Sequence, residues 1–240
     1  MSPGTASSSR TASSPALAED GWLAGRFGHA VYTVLDPATV EPDDLRGEGT
    51  YQAKVPTTRP DLVARLEDAG MRVVNVSVTL GRAPGAIGPE TRTVRRLDPT
   101  RDGALLDVAE RSFTQTRFHL DLGTPDAVAN RIKRDWLESY LLGIRGEQLL
   151  VAESDGEPVG FLAVLRRGTM RIIDLIAVDP DHRDKGLGRD LVARFMRDSE
   201  GACERVQVGT QAANLGAIRF YERLDYVVDA TAYDLHMHVS

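Results

Sequence analysis

The segment that most restricts the fold of this chain runs from Ile172 to Gly188, I-I-D-L-I-A-V-D-P-D-H-R-D-K-G-L-G. Its apolar stretch reads as a buried strand ending at Val178, and Pro180 breaks it. A short polar loop with two glycines then opens an apolar-periodic helix through Leu187, Leu191, Val192 and Phe195. A strand, loop and helix start joined this tightly point consecutive backbone N–H groups at one spot, where the helix dipole also favours negative charge. Gly186 and Gly188 let the backbone approach an anion closely, and Arg183 and Lys185 add charge-assisted donors, so the segment predicts a pyrophosphate site. A plain strand-to-helix turn is the reading that this pattern alone leaves open.

At 240 residues and 42% hydrophobic, the chain can bury a sizeable core without disulfide or metal staples. Cys203 is its single cysteine, so no intramolecular disulfide forms and no cysteine cluster holds zinc. The expectation is a cytoplasmic protein with no metal. No run approaches the roughly 20 apolar residues of a membrane span, and the opening M-S-P-G-T-A-S-S-S-R lacks the apolar core of a secretory signal. A formal charge of −6 opposes broad binding to nucleic acid or anionic membrane, while leaving room for a small, specific anion site.

Residues 1–19 are rich in Ser, Ala and Thr without apolar periodicity and are expected to be a flexible tail. A second break, G-R-A-P-G-A-I-G-P-E at 81–90, interrupts any regular element with glycines and prolines, and 82–91 is taken as a linker. It separates a smaller N-terminal α/β domain, 20–81, from a second domain, 92–240. In the first, strands are expected at 29–35, 51–55 and 72–80, with a helix over 60–69. The second should begin with a strand at 93–97 and helices at 100–111 and 125–142, the latter capped by Thr124. Strands follow at 148–153, 159–166 and 170–178, the first two joined by the turn dipeptide Asp155-Gly156. A helix at 186–199, a strand at 205–210, a helix at 214–224 and strand-rich residues 226–239 complete an α/β layer. At an offset of 155 residues, 62–80 and 217–235 share an apolar pattern, which a common ancestral unit or any helix followed by a strand would produce.

A second motif stands downstream of the first. In N-L-G-A-I-R-F-Y, Asn214, Ala217 and Tyr221 share one helix face at spacings of 3 and 4. The two motifs, V-D-P-x-x-R-x-x-G-L-G and N-x-x-A-x-x-x-Y, resemble those of the GNAT N-acetyltransferase superfamily. That resemblance implies a GNAT fold, a mixed and mostly antiparallel sheet flanked by helices, with the N-terminal domain resembling a partial GNAT half. It also implies acetyl-coenzyme A as the acetyl donor. The expected cofactor-binding residues are Ile176, Ala177, Val178, Arg183, Asp184, Lys185, Gly186, Leu187, Gly188, Arg189, Asn214, Ala217 and Tyr221. The chain departs from the family at Asp225-Tyr226, where Gly-Phe is usual. The stretches Y-Q-A-K-V-P, L-E-D-A-G-M-R-V-V, S-F-T-Q-T-R-F-H and T-A-Y-D-L further resemble the TDP-fucosamine acetyltransferase group, which acetylates the 4-amino group of a nucleotide-linked deoxysugar.

Amine acetylation needs a neutral amine, a donor for the developing oxyanion and a proton for the departing thiolate. The resemblance assigns the oxyanion donor to a backbone N–H near Ile176 to Val178 and the proton to Tyr221. Asp174, two residues earlier, is the candidate for taking a proton from the amine, directly or through water, or is an ordinary strand-end or salt-bridged carboxylate; His119 ranks below it as a base. The stretch 112–121 offers Gln115, Arg117, Phe118 and His119 for a phosphorylated, base-bearing substrate, or is a solvated loop. The favoured reading is acetylation of a small amine such as a nucleotide-linked aminosugar. Acetylation of a protein terminus or lysine comes second, and an inert coenzyme A sensor third. The acceptor and the oligomeric state, a homodimer included, stay open.

Overall fold

In the computed structural model, which describes residues 14–240, contacts divide the chain into two units. One runs through Val73 and takes in Asp234–Ser240; the other spans Val74–Tyr233.

The first unit holds β1 (Leu17–Glu19), α1 (Gly21–Phe27), β2 (Val31–Val34), β3 (Gly49–Pro56), α2 (Pro60–Asp68) and the first residues of β4 (Arg72–Arg82). β1 pairs antiparallel with β2, and β2 parallel with β3. The end of the chain's last strand follows β3 in the sheet order. Residues 1–13 of the expected flexible tail lie outside the described residues, but the rest of it is ordered: Leu17 pairs with Val34, and Ala16 is buried. A three-residue strand is too short to leave a periodic signal. Helix α1 carries Gly21 and Gly25, which dilute its helical pattern. Its Asp20 side chain accepts from the Leu23 N–H, and Gly28 closes it in the left-handed conformation.

The second unit continues β4 and adds β5 (Val94–Arg96), α3 (Leu105–Ser112), α4 (Asp126–Leu141), β6 (Gln148–Ser154), β7 (Glu157–Arg167), β8 (Met170–Val178), α5 (Leu187–Ser199), β9 (Arg205–Gln211), α6 (Leu215–Glu222) and β10 (Val227–Val239). Its strand order is β10-β4-β9-β8-β7-β6-β5. The ladders from β4 to β9 and from β5 through β8 are antiparallel, and β8 with β9 is parallel. Strand alternation fixes which face each residue serves. Leu149, Val151, Phe161 and Ala163 pack with Leu105, Val108, Leu137 and Tyr140 of α3 and α4. Their neighbours Leu150, Ala152, Leu162 and Val164 pack on the opposite face with Leu187, Leu191, Phe195 and Met196 of α5. The Asp155-Gly156 turn is as expected, with φ of 53° and 83°.

Three local expectations change. Thr124 does not cap α4: Pro125 holds the cap position without a side-chain bond, and the Thr124 hydroxyl donates to Asp121 instead. The strand-rich end is one strand of 13 residues. The contact division falls between Val73 and Val74 and not at 82–91, because β4 runs unbroken to Arg82 and pairs with β9 from Ser77 onward. Residues 83–93 do lack helix and strand, and Asp190 at the start of α5 holds them by accepting from the Thr91 N–H and hydroxyl.

Candidate active site

The site begins with an irregularity in β8. The ladder to β7 pairs Ala163 with Leu175 and Val164 with Ile173, leaving Asp174 as the extra residue of a bulge. The bulge reverses the strand's parity. Ile173 faces α5, whereas Leu175, two residues on, faces α3 and α4. On the other edge the parallel ladder to β9 ends at Ile173 and Val208. Beyond that point backbone groups of β8 have no partner from β9, and a pocket of about 130 Å³ opens, lined by Asp174 to Ile176 of β8 and Val208 to Gln211 of β9. An edge of unpaired N–H groups is what an oxyanion donor requires.

After Val178 the chain makes a short 3-10 turn at Pro180–His182, started by the Asp179 side chain accepting from Asp181 N–H. Asp184 and Gly186 then take positive φ, 60° and 84°, and α5 starts with no side chain capping its first N–H groups. Those donors are left for a ligand. A Cβ on Gly188 would meet only the Phe220 ring, at 3.8 Å, so the space above this glycine is open. Together these elements wall a cleft of about 580 Å³.

The far wall comes from α6. Its first turn is capped by the Asn214 side chain, which accepts from Ala217 N–H at 3.1 Å. One turn later Tyr221 is buried, and its ring packs 5.0 Å from Phe220 and 5.2 Å from Tyr226. The Tyr221 hydroxyl is buried without a hydrogen-bond partner among the described residues. Burial, and then Tyr226 beside it, push this phenol well above its ordinary value, so it stays protonated across the physiological range. Ser112 Oγ and His182 Nδ1 are two others of the buried polar atoms that lack a partner among the described residues. All three belong to residues lining the cleft. Unsatisfied buried polar groups are costly, and their gathering at one cleft fits a polar, elongated ligand such as coenzyme A.

Most of the expected cofactor-binding residues line this cleft: Ile176, Ala177, Val178, Arg183, Asp184, Gly186, Leu187, Gly188, Arg189, Asn214, Ala217 and Tyr221. Leu187 is buried in the core, so only its backbone serves the loop. Arg189 spends its guanidinium on the Ile87 and Pro89 carbonyls. Lys185 is absent from the cleft wall and donates to the Asp181 carbonyl at 3.2 Å.

The substrate side departs further from expectation. Asp174 accepts from Trp136 Nε1, Tyr140 hydroxyl and Arg145 Nε, each at 2.8 Å. Three donors on one carboxylate suit an anchor between α4 and β8 and not a proton-taking base. His119 is equally engaged, with Nδ1 2.7 Å from Thr116 Oγ1 and Nε2 2.9 Å from Asn130 Oδ1. Phe118 is buried and is no platform for a substrate base; the Arg117 guanidinium lies 4.7 Å from its ring centroid. Of this group Gln115 is exposed and lines an adjoining pocket of about 320 Å³ with Thr114, Arg183 and Gln211. Phe113, Thr116 and Lys133, which sequence reasoning passed over, complete the small pocket. Lys133 lies in a helix whose charged residues look like an ordinary solvated face, so spacing gave no signal.

The acetyltransferase (GNAT) family model matches residues 109–226. SpsD of Bacillus subtilis strain 168, a spore coat polysaccharide biosynthesis protein, is 33% identical over 141 residues, 58% of this chain and 48% of SpsD. The L-amino acid N-acyltransferase MnaT of Escherichia coli K12 is 31% identical over 110 residues, 42% of this chain and 60% of MnaT. The chain spans about half the length of the curated relatives it matches. A GCN5-related N-acetyltransferase from Kribbella flavida superimposes with a TM-score of 0.59 at 18% identity, covering 92% of this chain and 86% of that one, a likeness of fold. Among the described residues no helix is long and apolar enough to cross a membrane.

Proposed function

Because residues 109–226 match the acetyltransferase (GNAT) family model, we propose that the chain moves an acetyl group from acetyl-coenzyme A to a primary amine, by direct transfer while both are bound. The observation that carries this reading is the Tyr221 hydroxyl, buried, protonated and without a partner among the described residues, on a wall shared by the 580 Å³ cleft and the small pocket beside β8. In the proposed transfer the pyrophosphate lies on the first N–H groups of α5, near Gly186 and Gly188. Asn214 and Ala217 border the pantetheine arm, and the thioester stands between Tyr221 and β8. An N–H on the unpaired edge of β8 receives the developing oxyanion, and Tyr221 gives its proton to the sulfur as the C–S bond breaks.

For the acceptor we propose the amino group of a nucleotide-linked aminodeoxysugar, of the TDP-4-amino-4,6-dideoxyhexose kind. The resemblance to the TDP-fucosamine acetyltransferase group and the likeness to SpsD, a polysaccharide biosynthesis protein, both support it. The pocket lined by Gln115 and Arg183 offers polar groups for the phosphates, with Arg117 nearby in sequence adding positive charge. The likeness to MnaT favours, as a second reading, an amino acid or another small amine. A cytoplasmic setting belongs to the same proposal.

Purified protein with acetyl-coenzyme A, offered a panel of a TDP-aminosugar, the free aminosugar, L-amino acids and a peptide, distinguishes these by free thiol release. The TDP-aminosugar should react fastest and the free sugar far more slowly, because remote phosphate and base contacts position the reacting amine. Equal rates with every amine would refute the sugar assignment, and thiol release with none of them would refute the transferase.

A further inference from the structure

Between α4 and β8 the small pocket holds an amine that the transfer just described does not use. Lys133 lines it together with Asp174, Ile176, Asn214 and Tyr221. Its Nζ lies 4.5 Å from the Trp136 ring centroid and 5.3 Å from that of Phe113, and it forms no ion pair or hydrogen bond among the described residues. Phe113, Ile176, Asn214, Ala217 and Tyr221 belong to both this pocket and the cleft, so the pocket opens on the place proposed for the thioester. An acceptor amine must reach that place, and it arrives in water mostly as an ammonium ion.

We infer that Lys133 is the proton acceptor for the incoming amine, its neutral side chain taking one proton from the acceptor's ammonium group inside this pocket. The inference rests on the acetyl transfer proposed above. Three observations carry it. The other titratable candidates are occupied: Asp174 by three donors, and His119 by bonds at both ring nitrogens. Lys133 lines the small pocket that opens on the cleft, whereas His182 lines the cleft and not the small pocket. And its setting makes a lysine basic in the useful range. Burial is the largest influence, followed by the Arg117 guanidinium; Asp174 pulls the other way and Arg145 adds to the depression, leaving Lys133 at about 8. The charged and titratable neighbours are therefore Arg117 from the stretch before α4, Arg145 after it, Asp174 on β8, Tyr140 on α4 through its bond to Asp174, and Tyr221 on α6.

The protons balance. Lys133 removes one from the ammonium, and the neutral nitrogen forms a bond to the thioester carbon. The C–S bond breaks, with sulfur taking the Tyr221 proton. The surplus proton on the new amide nitrogen restores the phenol, and Lys133 releases its own to water. A base works best when its pKa lies near the working pH, which an ordinary lysine does not satisfy.

Two measurements test this. The first needs no acceptor: labelling of Lys133 by trace acetic anhydride, followed by peptide mass spectrometry across pH, should show a midpoint near 8. A midpoint above 10 would overturn the inference whatever the amine panel shows. The second compares wild type, Lys133→Arg and Lys133→Met with the best amine of the panel, each checked for acetyl-coenzyme A binding by calorimetry. Arginine keeps the charge and cannot give up its proton, so both variants should bind acetyl-coenzyme A normally yet lose about 10²-fold or more in kcat/KM, along with the rise in activity through pH 8. Imidazole should restore part of the rate in Lys133→Ala. A variant that binds acetyl-coenzyme A and keeps the wild-type pH profile overturns the inference while leaving the transferase standing. If no amine on the panel reacts, the labelling midpoint still decides whether Lys133 has the required basicity.

Discussion

Tyr221 shows how a single atom carries a functional argument. A tyrosine packed between Phe220 and Tyr226 is ordinary core, but core tyrosines normally place the hydroxyl on a partner or in water. Among the described residues it has no partner, and it is buried, so replacing it should reveal what it is for. Tyr221→Phe keeps the packing ring and removes the proposed proton donor. Turnover should fall by about 10²- to 10⁴-fold, with acetyl-coenzyme A affinity nearly unchanged in calorimetry. Wild-type turnover across pH would return Tyr221 to the core. Gly186 makes the complementary case at the donor end. Its φ of 84° is one that L side chains rarely adopt, and a Cβ would come within 2.9 Å of the Arg92 guanidinium. Gly186→Val would have to move the loop that aims the N–H groups of α5. Binding of acetyl-coenzyme A should be lost while the far-ultraviolet circular dichroism stays native; unchanged affinity would detach the loop from the ligand.

The two motifs were legible because each is local: a strand, a break and a helix in one run of sequence, and three residues on one helix face. The Asp155-Gly156 turn and the alternating strands β6 and β7 were legible for the same reason. What escaped depends on contacts between elements far apart in sequence. Nothing in the spacing of Asp174 announces that Trp136 and Tyr140 of α4 and Arg145 just beyond it will meet it, or that β8 will bulge at this residue. Phe118 looked like a loop aromatic and proved to be buried. The difference between anchor and base can be measured on α4 and β8 directly. Asp174→Asn keeps an acceptor oxygen for Trp136 and Tyr140, so much of the activity should survive and the pH profile should keep its shape. Asp174→Ala leaves those donors unsatisfied and should cost about 1–3 kcal/mol in urea unfolding. An Asn variant that is fully folded, binds acetyl-coenzyme A and has lost its activity together with the rising limb of its pH profile would restore Asp174 as the base.

At the scale of the whole chain, the contact units do not follow the order of synthesis. The first unit is built from residues before Val74 and from the seven residues Asp234–Ser240, so part of its sheet is supplied only by the end of β10. That end is well buried: Leu235 is fully enclosed, Asp234 and His236 nearly so, and His238 Nδ1 lies 3.0 Å from Thr50 Oγ1 of β3. A contact closed over 188 residues is entropically late, and β2 and β3 should depend on it for their final stability. The second unit draws its two cores from Val74–Tyr233 alone. Ending the chain after Tyr233 should therefore act on one unit selectively. Hydrogen exchange should accelerate in Val31–Val34 and Gly49–Pro56 as β3 loses its neighbour, while the amides of Glu157–Arg167 keep their protection. Acetyl-coenzyme A binding, proposed for a cleft lined by residues of the second unit, should persist in the shortened chain. Exchange that quickens equally throughout would mean the two units fold as one, and exchange unchanged in β2 and β3 would mean the first unit stands without its last strand.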